Sequence, residues 1–256
     1  MFSFKDYIQH IGKLQEKLTL QYHKTLNQKI FDGEKLRPEV KDKLLDVAAA
    51  WQKFAKIPDE LVKDIILTGG NCQFNYTKYS DLDCHIVMNR NKLFGPMRMP
   101  DAHRREYIDD YLDDKKTLWS SSRDIKIKGY SVEMYAQDVR DKLAASGIYS
   151  LKNNKWIVKP VHGNYNFAHD EALEKKVDEI KNTINNMIEN NASEAEFKIM
   201  KEKLKNMRNA ALASGNEFSF DNCVFKELRN EKVLDKMNKY LQSKRDKELS
   251  LEGIQP

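Results

Sequence analysis

Asp64-Ile-Ile-Leu-Thr-Gly-Gly70, followed after ten further residues by Asp81-Leu-Asp83, is the stretch of this chain that decides the fold. The apolar run before the two glycines is typical of a buried strand that ends in a tight turn. From Leu82 to Met88, apolar residues alternate with Asp83, His85 and Val87, which predicts a second strand with one buried face. The two strands and the turn between them therefore form the centre of the predicted fold.

The spacing of the glycines and aspartates separates this stretch from a chance match. A chain of 256 residues with 21 aspartates contains about 1.7 Asp-x-Asp pairs by chance. Requiring a Gly-Gly pair in a suitable window upstream lowers that expectation to about 0.02. We therefore interpret the whole combination, rather than the aspartates by themselves, as a candidate functional site.

The residue types in this pattern favour binding of a metal ion and a phosphate group. Asp81 and Asp83 are two residues apart along a strand, so their side chains point to the same side of the sheet. Two carboxylates that close repel each other unless a cation lies between them, and ligation by oxygen alone selects Mg²⁺ or Mn²⁺. Gly69 and Gly70 have no side chains, so their backbone N–H groups can approach a phosphate closely. A triphosphate held between the turn and a pair of metal ions is the ligand that this arrangement predicts.

A second ion in such a site usually needs a third carboxylate, and Glu133 is the best candidate. It lies in a third predicted strand, Tyr130 to Gln137, whose apolar positions include Val132 and Met134. The assignment depends on which strand this one pairs with. His85, on the same face as Asp83, is interpreted mainly as a hydrogen-bonded structural residue, with contact to substrate as the alternative.

Helices are predicted on both sides of the sheet. An apolar stripe from Phe4 to Leu26 predicts one amphipathic helix, and a second begins near Pro38. Residues 101–119 form a predicted surface helix, and Ile148 to Val158 a hairpin that turns at Asn153-Asn154. From about His169 the pattern is helical to the end of the chain, and it includes a capping box of Ser193 and Glu196.

These elements predict an α+β fold with a small mixed sheet at its core. The expected organisation is N-terminal helices that pack on the core in residues 1–60, the core itself in 61–165, and a C-terminal helical region in 166–256. The helical stripes are interpreted as bundle core rather than as a cofactor site.

Composition excludes several classes of protein. Hydrophobic residues make up 40% and charged residues 32% of the chain, which is typical of a globular protein. No apolar run approaches the roughly 20 residues of a membrane span, and the first ten residues lack the apolar segment of a signal peptide. Three cysteines without a Cys-x-x-Cys pair argue against a disulfide framework or a zinc ribbon. We therefore expect a cytoplasmic protein with reduced thiols and no membrane partner.

The charge balance is too weak for a protein that coats nucleic acid, yet it permits an anionic ligand. The chain carries 44 basic and 39 acidic residues, a net charge of +5. Several basic side chains could neutralise phosphates or bind RNA, although a solvated surface is the default for each. They are Lys78, Arg90, Lys92, Arg104, Lys126 and Lys128.

The pattern resembles the DNA polymerase β-type nucleotidyltransferase superfamily. The matching segments are Leu67-Thr-Gly-Gly70, Ser80-Asp-Leu-Asp-Cys84 and Val132-Glu-Met134, which together cover about 70 residues. The chain also resembles phage-encoded predicted nucleotidyltransferases, a less specific match. The segments that carry it are Tyr130-Ser-Val-Glu-Met-Tyr-Ala-Gln137, Gly147-Ile-Tyr-Ser150 and Phe218-Ser-Phe-Asp-Asn-Cys-Val-Phe225.

This resemblance implies a metal-dependent enzyme that moves a nucleoside monophosphate from a nucleoside triphosphate to an acceptor hydroxyl and releases pyrophosphate. Asp81 and Asp83 would bind both metal ions, while Glu133 would complete the site and help to activate the acceptor. The implied nucleotide-binding residues are Thr68, Gly69, Gly70 and Ser80.

Two departures from the superfamily pattern are visible. Gly70 replaces the serine that many members use to contact a phosphate, and Ser80 either substitutes for it in part or only caps a turn. The segment 71–79 is not a convincing helix, so helix-dipole support for the phosphates is not expected.

The sequence does not decide whether the acceptor is RNA or tRNA, a protein side chain or a small molecule. It also leaves the oligomeric state open. One alternative is a catalytically inactive nucleotide-binding or regulatory module with the same fold. A pyrophosphokinase of the alarmone-synthetase type ranks lower, because the basic nucleotide-clamping motifs of that family are not visible.

Overall fold

The computed structural model describes residues 18–141, 143, 145–163, 165, 170–213 and 218–250. These residues divide into two compact units. The sheet unit is 22–165, and the helical unit takes residues 18–21 together with those from 170 onward. In these ranges the chain forms six α-helices, a mixed sheet of six strands and a small sheet of two strands, which confirms the predicted α+β class.

The six-stranded sheet has the order β5-β6-β4-β3-β7-β8. Strands β4 and β6 run parallel, and the other neighbours are antiparallel. Its strands are β3 Val62–Thr68, β4 Leu82–Met88, β5 Lys126–Ile127, β6 Tyr130–Asp138, β7 Ile148–Ser150 and β8 Lys155–Val158. The two-stranded sheet pairs β1 Phe31–Asp32 with β2 Lys35–Leu36. The strands predicted around the glycines, the aspartates and Glu133 are therefore confirmed, as is the hairpin with its turn at Asn153-Asn154.

Two helices accompany this sheet. Helix α1, Pro38–Phe54, begins with a proline in its first turn, where the missing N–H costs no hydrogen bond. Its buried side packs into the same hydrophobic cluster as Leu82 and Met134 of the sheet. Helix α2, Asp101–Ser122, packs against β6 and contributes Trp119 to that cluster. The sheet thus has one apolar face that is covered, which leaves its other face for polar side chains.

The helical unit has its own hydrophobic cluster, built from all four of its helices. They are α3 Glu171–Glu189, α4 Glu194–Ala213, α5 Phe220–Asn230 and α6 Val233–Leu249. The predicted capping box is present: the Ser193 N–H donates to Glu196, and the Glu196 N–H donates to the Ser193 hydroxyl. The periodic apolar stripes therefore form a bundle core.

The first predicted helix is wrong over the part of it that can be tested. Its positions before residue 18 lie outside the described residues, and residues 18–26 are not helical. Tertiary partners take the backbone N–H groups that a helix would use. Thr19 and Leu20 donate theirs to the Glu227 carboxylate, and His23 donates to the Phe74 carbonyl at 2.7 Å. Between residues 18 and 60, α1 is the one α-helix, and residues 22–60 belong to the sheet unit.

Two exclusions drawn from composition can be compared with the structure. All three cysteines, Cys72, Cys84 and Cys223, are free and buried, as expected for reduced thiols. None of the helices in the described ranges combines the length and the apolar character that a membrane span requires.

Candidate functional site

Strand pairing brings the predicted carboxylates together. Strands β4 and β6 are parallel neighbours in which Asp83 is the register partner of Glu133. Adjacent strands lie about 4.8 Å apart, so the two side chains leave the same face of the sheet side by side. Asp81 precedes β4 by one residue, two positions before Asp83. All three side chains are half-buried, so solvent and ions reach them.

The Gly-Gly turn lies directly against one of these carboxylates. Thr68, the last residue of β3, is the register partner of Asp83 on the other side of β4. Gly69 follows with φ of +85°, and a Cβ built on it would lie 1.9 Å from Oδ2 of Asp83. Only glycine can occupy this position without displacing the carboxylate or straining the backbone. The contact explains the first glycine of the motif in physical terms.

A buried amide fixes the chain after the turn. Asn71 is fully buried, and its Nδ2 donates to the Asp81 carbonyl at 2.9 Å. Its Oδ1 accepts from Nδ2 of Asn27 at 2.7 Å. A loop of ten residues separates Gly70 from Asp81, and this amide ties its two ends together. The backbone position of Asp81 is therefore determined by the turn itself.

Gly70 and Ser80 are neighbours in space. A Cβ on Gly70 would lie 3.0 Å from the Ser80 hydroxyl, so this side chain stands beside the turn. The same hydroxyl accepts the Thr77 N–H at 2.9 Å, which makes Ser80 a turn cap as well. A short 3-10 helix, Gly70–Cys72, begins the loop, and no α-helix lies between Gly70 and Asp81. The expected absence of a helix over 71–79 is confirmed.

The Thr68 side chain forms a hydrogen bond within the fold. Its hydroxyl donates to the Gly147 carbonyl at 2.9 Å, and the side chain is buried. The bond connects the end of β3 to the residue that precedes β7. Thr68 therefore fixes the strand end that carries the two glycines.

Tyr135 joins the carboxylates on the same face. Its hydroxyl donates a hydrogen bond to Oε2 of Glu133, two residues earlier on β6. Burial raises the pKa of the phenol, and the negative charges of Asp83, Glu133 and Asp81 raise it further. The raised pKa keeps the phenol protonated, so it acts as the donor in this bond.

Beyond Tyr135 the face is lined by a neutral histidine and a lysine. The His85 ring stacks on the Tyr135 ring at 4.6 Å between centroids. Burial lowers the pKa of His85 to about 4, so the imidazole is neutral near pH 7. The ammonium of Lys116, on α2, lies 3.8 Å from the centroid of the Tyr135 ring. His85 is thus a packed part of the sheet face, in agreement with its structural interpretation.

The donor types suit Mg²⁺ or Mn²⁺, because all three side chains offer carboxylate oxygens. Across the described parts of the chain, no three His, Cys, Asp or Glu side chains already stand in an arrangement that holds a metal ion. For Asp81, Asp83 and Glu133 to hold one ion together, their side chains would have to move from the positions they have here. Their shared face and their access to solvent permit that movement.

Most of the basic residues considered as phosphate contacts have other partners. Four of the six form ion pairs with carboxylates outside the candidate site. These pairs are Arg90–Asp109, Arg104–Asp101, Lys126–Asp124 and Lys128–Glu39. Lys116, which sequence reasoning missed, lies on the site face through its contact with the Tyr135 ring. Its position depends on how α2 packs against β6, and no local pattern reports that packing.

Tyr135 and Asn71 were also missed, for different reasons. Tyr135 alternates with Glu133 along β6, so strand periodicity alone could have placed both on one face. Asn71 follows the two glycines directly, but its role depends on a contact with Asn27, 44 positions earlier in the chain. No signal in the sequence predicts that pairing.

Comparison with known proteins gives no relative to extend these observations, since no protein family, curated protein or solved structure matches this chain significantly.

Proposed function

We propose that this chain is a metal-dependent nucleotidyltransferase that moves a nucleoside monophosphate from a nucleoside triphosphate to an acceptor hydroxyl. The observation that carries the proposal is that the Gly-Gly turn and the carboxylates lie together at one end of the neighbouring strands β3, β4 and β6. The strand register sets Glu133 beside Asp83, and the Gly69 backbone lies against the Asp83 carboxylate. Carboxylates for cations and an open backbone for phosphates are the two elements that a nucleoside triphosphate with its metal ions requires.

In the proposed reaction, the acceptor oxygen attacks the α-phosphorus and forms a new O–P bond. The bond between the α-phosphorus and the bridging oxygen breaks, and pyrophosphate leaves with that electron pair. Glu133 would accept the acceptor's proton, although its carboxylate receives a hydroxyl hydrogen bond from Tyr135 in this structure. Glu133 then needs to exchange that bond for one from the acceptor.

Asp81 and Asp83 would hold two Mg²⁺ or Mn²⁺ ions, with Glu133 as a further ligand. When bound, such ions neutralise charge on the phosphates and orient the reacting groups. The protein's own part is to fix the carboxylates and the turn: Asn71 holds the Asp81 backbone, and Ser80 caps the loop beside Gly70. Positioning of this kind supplies a large share of catalysis in phosphoryl-group transfer.

The direct test is transfer of label from each α-³²P nucleoside triphosphate, with Mg²⁺ or Mn²⁺, to cellular RNA and protein extract or to a panel of small hydroxyl compounds. Asp83→Asn removes the charge and keeps the shape, and we expect at least a roughly hundredfold loss of transfer. Asp42→Asn, on the exposed side of α1, is the matched control and keeps full transfer. The labelled product identifies the acceptor as RNA or tRNA, protein or small molecule.

The second candidate is a nucleotide-binding module without turnover. The hydrogen bond from Tyr135 to Glu133 favours it, because that bond engages the predicted proton acceptor. Nucleotide that binds in a metal-dependent way but is never consumed, with every class of acceptor supplied, would support the module. Equal transfer by wild type and Asp83→Asn would contradict the assignment of this site to the activity.

A further inference from the structure

Lys116 occupies a place on the site face that no motif predicted. Its Nζ atom lies 3.8 Å from the centroid of the Tyr135 ring, whose hydroxyl is bonded to Glu133. One ring and one hydrogen bond thus separate the ammonium from a predicted metal ligand. The His85 ring stacks on the same Tyr135 ring at 4.6 Å between centroids, so the lysine and the histidine contact one ring.

The surroundings of this ammonium differ from those of four basic residues that were considered as phosphate contacts. Within the described ranges, Lys116 forms no ion pair, whereas Arg90, Arg104, Lys126 and Lys128 each do. A cation–π contact holds its position without neutralising its charge. A half-buried cation that keeps its charge, next to a cluster of carboxylates, is suited to an anionic ligand that brings its own metal ions.

The adjacent residue on the helix provides a natural comparison. Lys115 lies over the rings of Phe54 and Tyr111, at 5.2 and 5.3 Å from their centroids. Those rings pack against the hydrophobic cluster of the sheet unit rather than lining the carboxylate face. The two neighbouring lysines therefore make the same kind of contact in two different places.

We propose that Lys116 binds a phosphate group of the nucleoside triphosphate, with the Tyr135 ring holding the ammonium in place. This inference rests on the proposed function, whose phosphate-binding side it completes. Lysine binds phosphate as a point charge, so it can follow the phosphates without a fixed planar geometry. During transfer, the bond from the α-phosphorus to its bridging oxygen breaks and negative charge develops on pyrophosphate. A nearby ammonium stabilises that charge.

The experiment measures binding of inorganic tripolyphosphate with Mg²⁺ to the full chain by calorimetry. Lys116→Met keeps an unbranched side chain over the ring and removes the charge, and we expect it to weaken binding at least about tenfold. Lys116→Arg restores most of the affinity, because it restores the charge. Lys115→Met, the matched control, binds tripolyphosphate as wild type does.

The same variants in the label-transfer assay separate this inference from the proposed function. If Asp83→Asn abolishes transfer while Lys116→Met binds and transfers like wild type, the Lys116 inference is wrong and the enzyme stands. If Lys116→Met weakens tripolyphosphate binding but wild type transfers no label, the anion site stands and the enzyme does not. Wild type that fails to bind tripolyphosphate overturns the inference directly.

Discussion

The two units differ in how they surround their carboxylates: one is buried among donors, and the others lie on a half-exposed face. In the helical unit, Glu227 is fully buried and accepts hydrogen bonds from the Thr19 N–H, the Thr19 hydroxyl and the Leu20 N–H. In the sheet unit, Asp81, Asp83 and Glu133 gather on one half-exposed face. The first arrangement encloses a charge with donors from the chain itself. The second places several like charges where a cation from solvent can reach them.

The contrast separates a carboxylate that the chain itself surrounds with donors from carboxylates that solvent reaches. Three donors around Glu227 anchor residues 18–20 to α5, which is a structural task. Like charges held on adjacent strands repel each other, and a fold gains no stability from that repulsion. We therefore expect changes at the sheet face to alter chemistry and changes around Glu227 to alter stability.

Gly69→Ala has the largest expected effect, because it changes the place where the turn contacts the Asp83 carboxylate. The new Cβ would overlap Oδ2 of Asp83, and φ of +85° strains any side chain. We expect transfer to fall about a hundredfold, with a loss of about 3 kcal/mol in the free energy of unfolding. Denaturant unfolding and the label-transfer assay measure the two effects.

Gly95→Ala is the control for that change. Gly95 has φ of +68°, but a Cβ there meets no heavy atom within 4 Å. The substitution therefore costs only the backbone strain, about 1 kcal/mol, and leaves transfer intact. Equal effects at the two glycines would show that the Asp83 contact has no special role.

Glu227→Ala tests the other side of the comparison. It leaves two donors of the half-buried Thr19 and the buried Leu20 N–H without their acceptor, which we expect to lower the free energy of unfolding by about 2–3 kcal/mol. Transfer per folded molecule stays at the wild-type level. Glu202→Ala, at an exposed position of α4, is the matched control with little effect on either quantity. Loss of transfer in folded Glu227→Ala would contradict the view that Glu227 contributes to stability and not to the chemistry.

The pH dependence of stability gives the same residue a second test. Burial raises the pKa of Glu227 above its ordinary value of 4.5, so the folded state holds this proton more strongly than the unfolded state. Its contribution is fully present below pH 4.5 and declines as the pH rises through the folded pKa. Wild type should thus lose stability relative to Glu227→Gln as the pH increases from 4 to 7. A constant difference would contradict the raised pKa.

Ser193→Ala has the smallest expected effect. It removes one half of the capping box at the start of α4 and should cost about 1 kcal/mol in the free energy of unfolding. Ser243→Ala, at an exposed position within α6, should be neutral or slightly stabilising. A thermal melt of the two variants measures the difference. Transfer is expected to stay unchanged in each of them.

Local patterns predicted the elements that build the site. Alternation along Leu82–Met88 fixed which residues of β4 are buried, because a strand has a period of two. The Gly-Gly pair marked the end of β3 for the same local reason. Glu133 required more: its role as neighbour of Asp83 depended on a parallel pairing across 50 residues, which periodicity can suggest but not decide.

What the sequence did not predict depends on contacts between distant residues. The apolar spacing that continues through Leu18, Tyr22 and Leu26 is helical in period, yet Glu227 and the Phe74 carbonyl take the backbone donors there. Lys116 reaches Tyr135 only because α2 packs against β6. Tertiary structure overrides local propensity in the first case and creates the contact in the second.

Binding of Mn²⁺ together with a non-hydrolysable nucleoside triphosphate analogue tests the central claim most directly. Enhancement of water-proton relaxation reports the complex of protein, Mn²⁺ and nucleotide, independently of turnover or of the acceptor. The account predicts strong enhancement with wild type and with Asp42→Asn, and at least about tenfold weaker binding with Asp83→Asn and Glu133→Gln. Equal enhancement by wild type and these two variants would show that the carboxylate face is not the metal and nucleotide site.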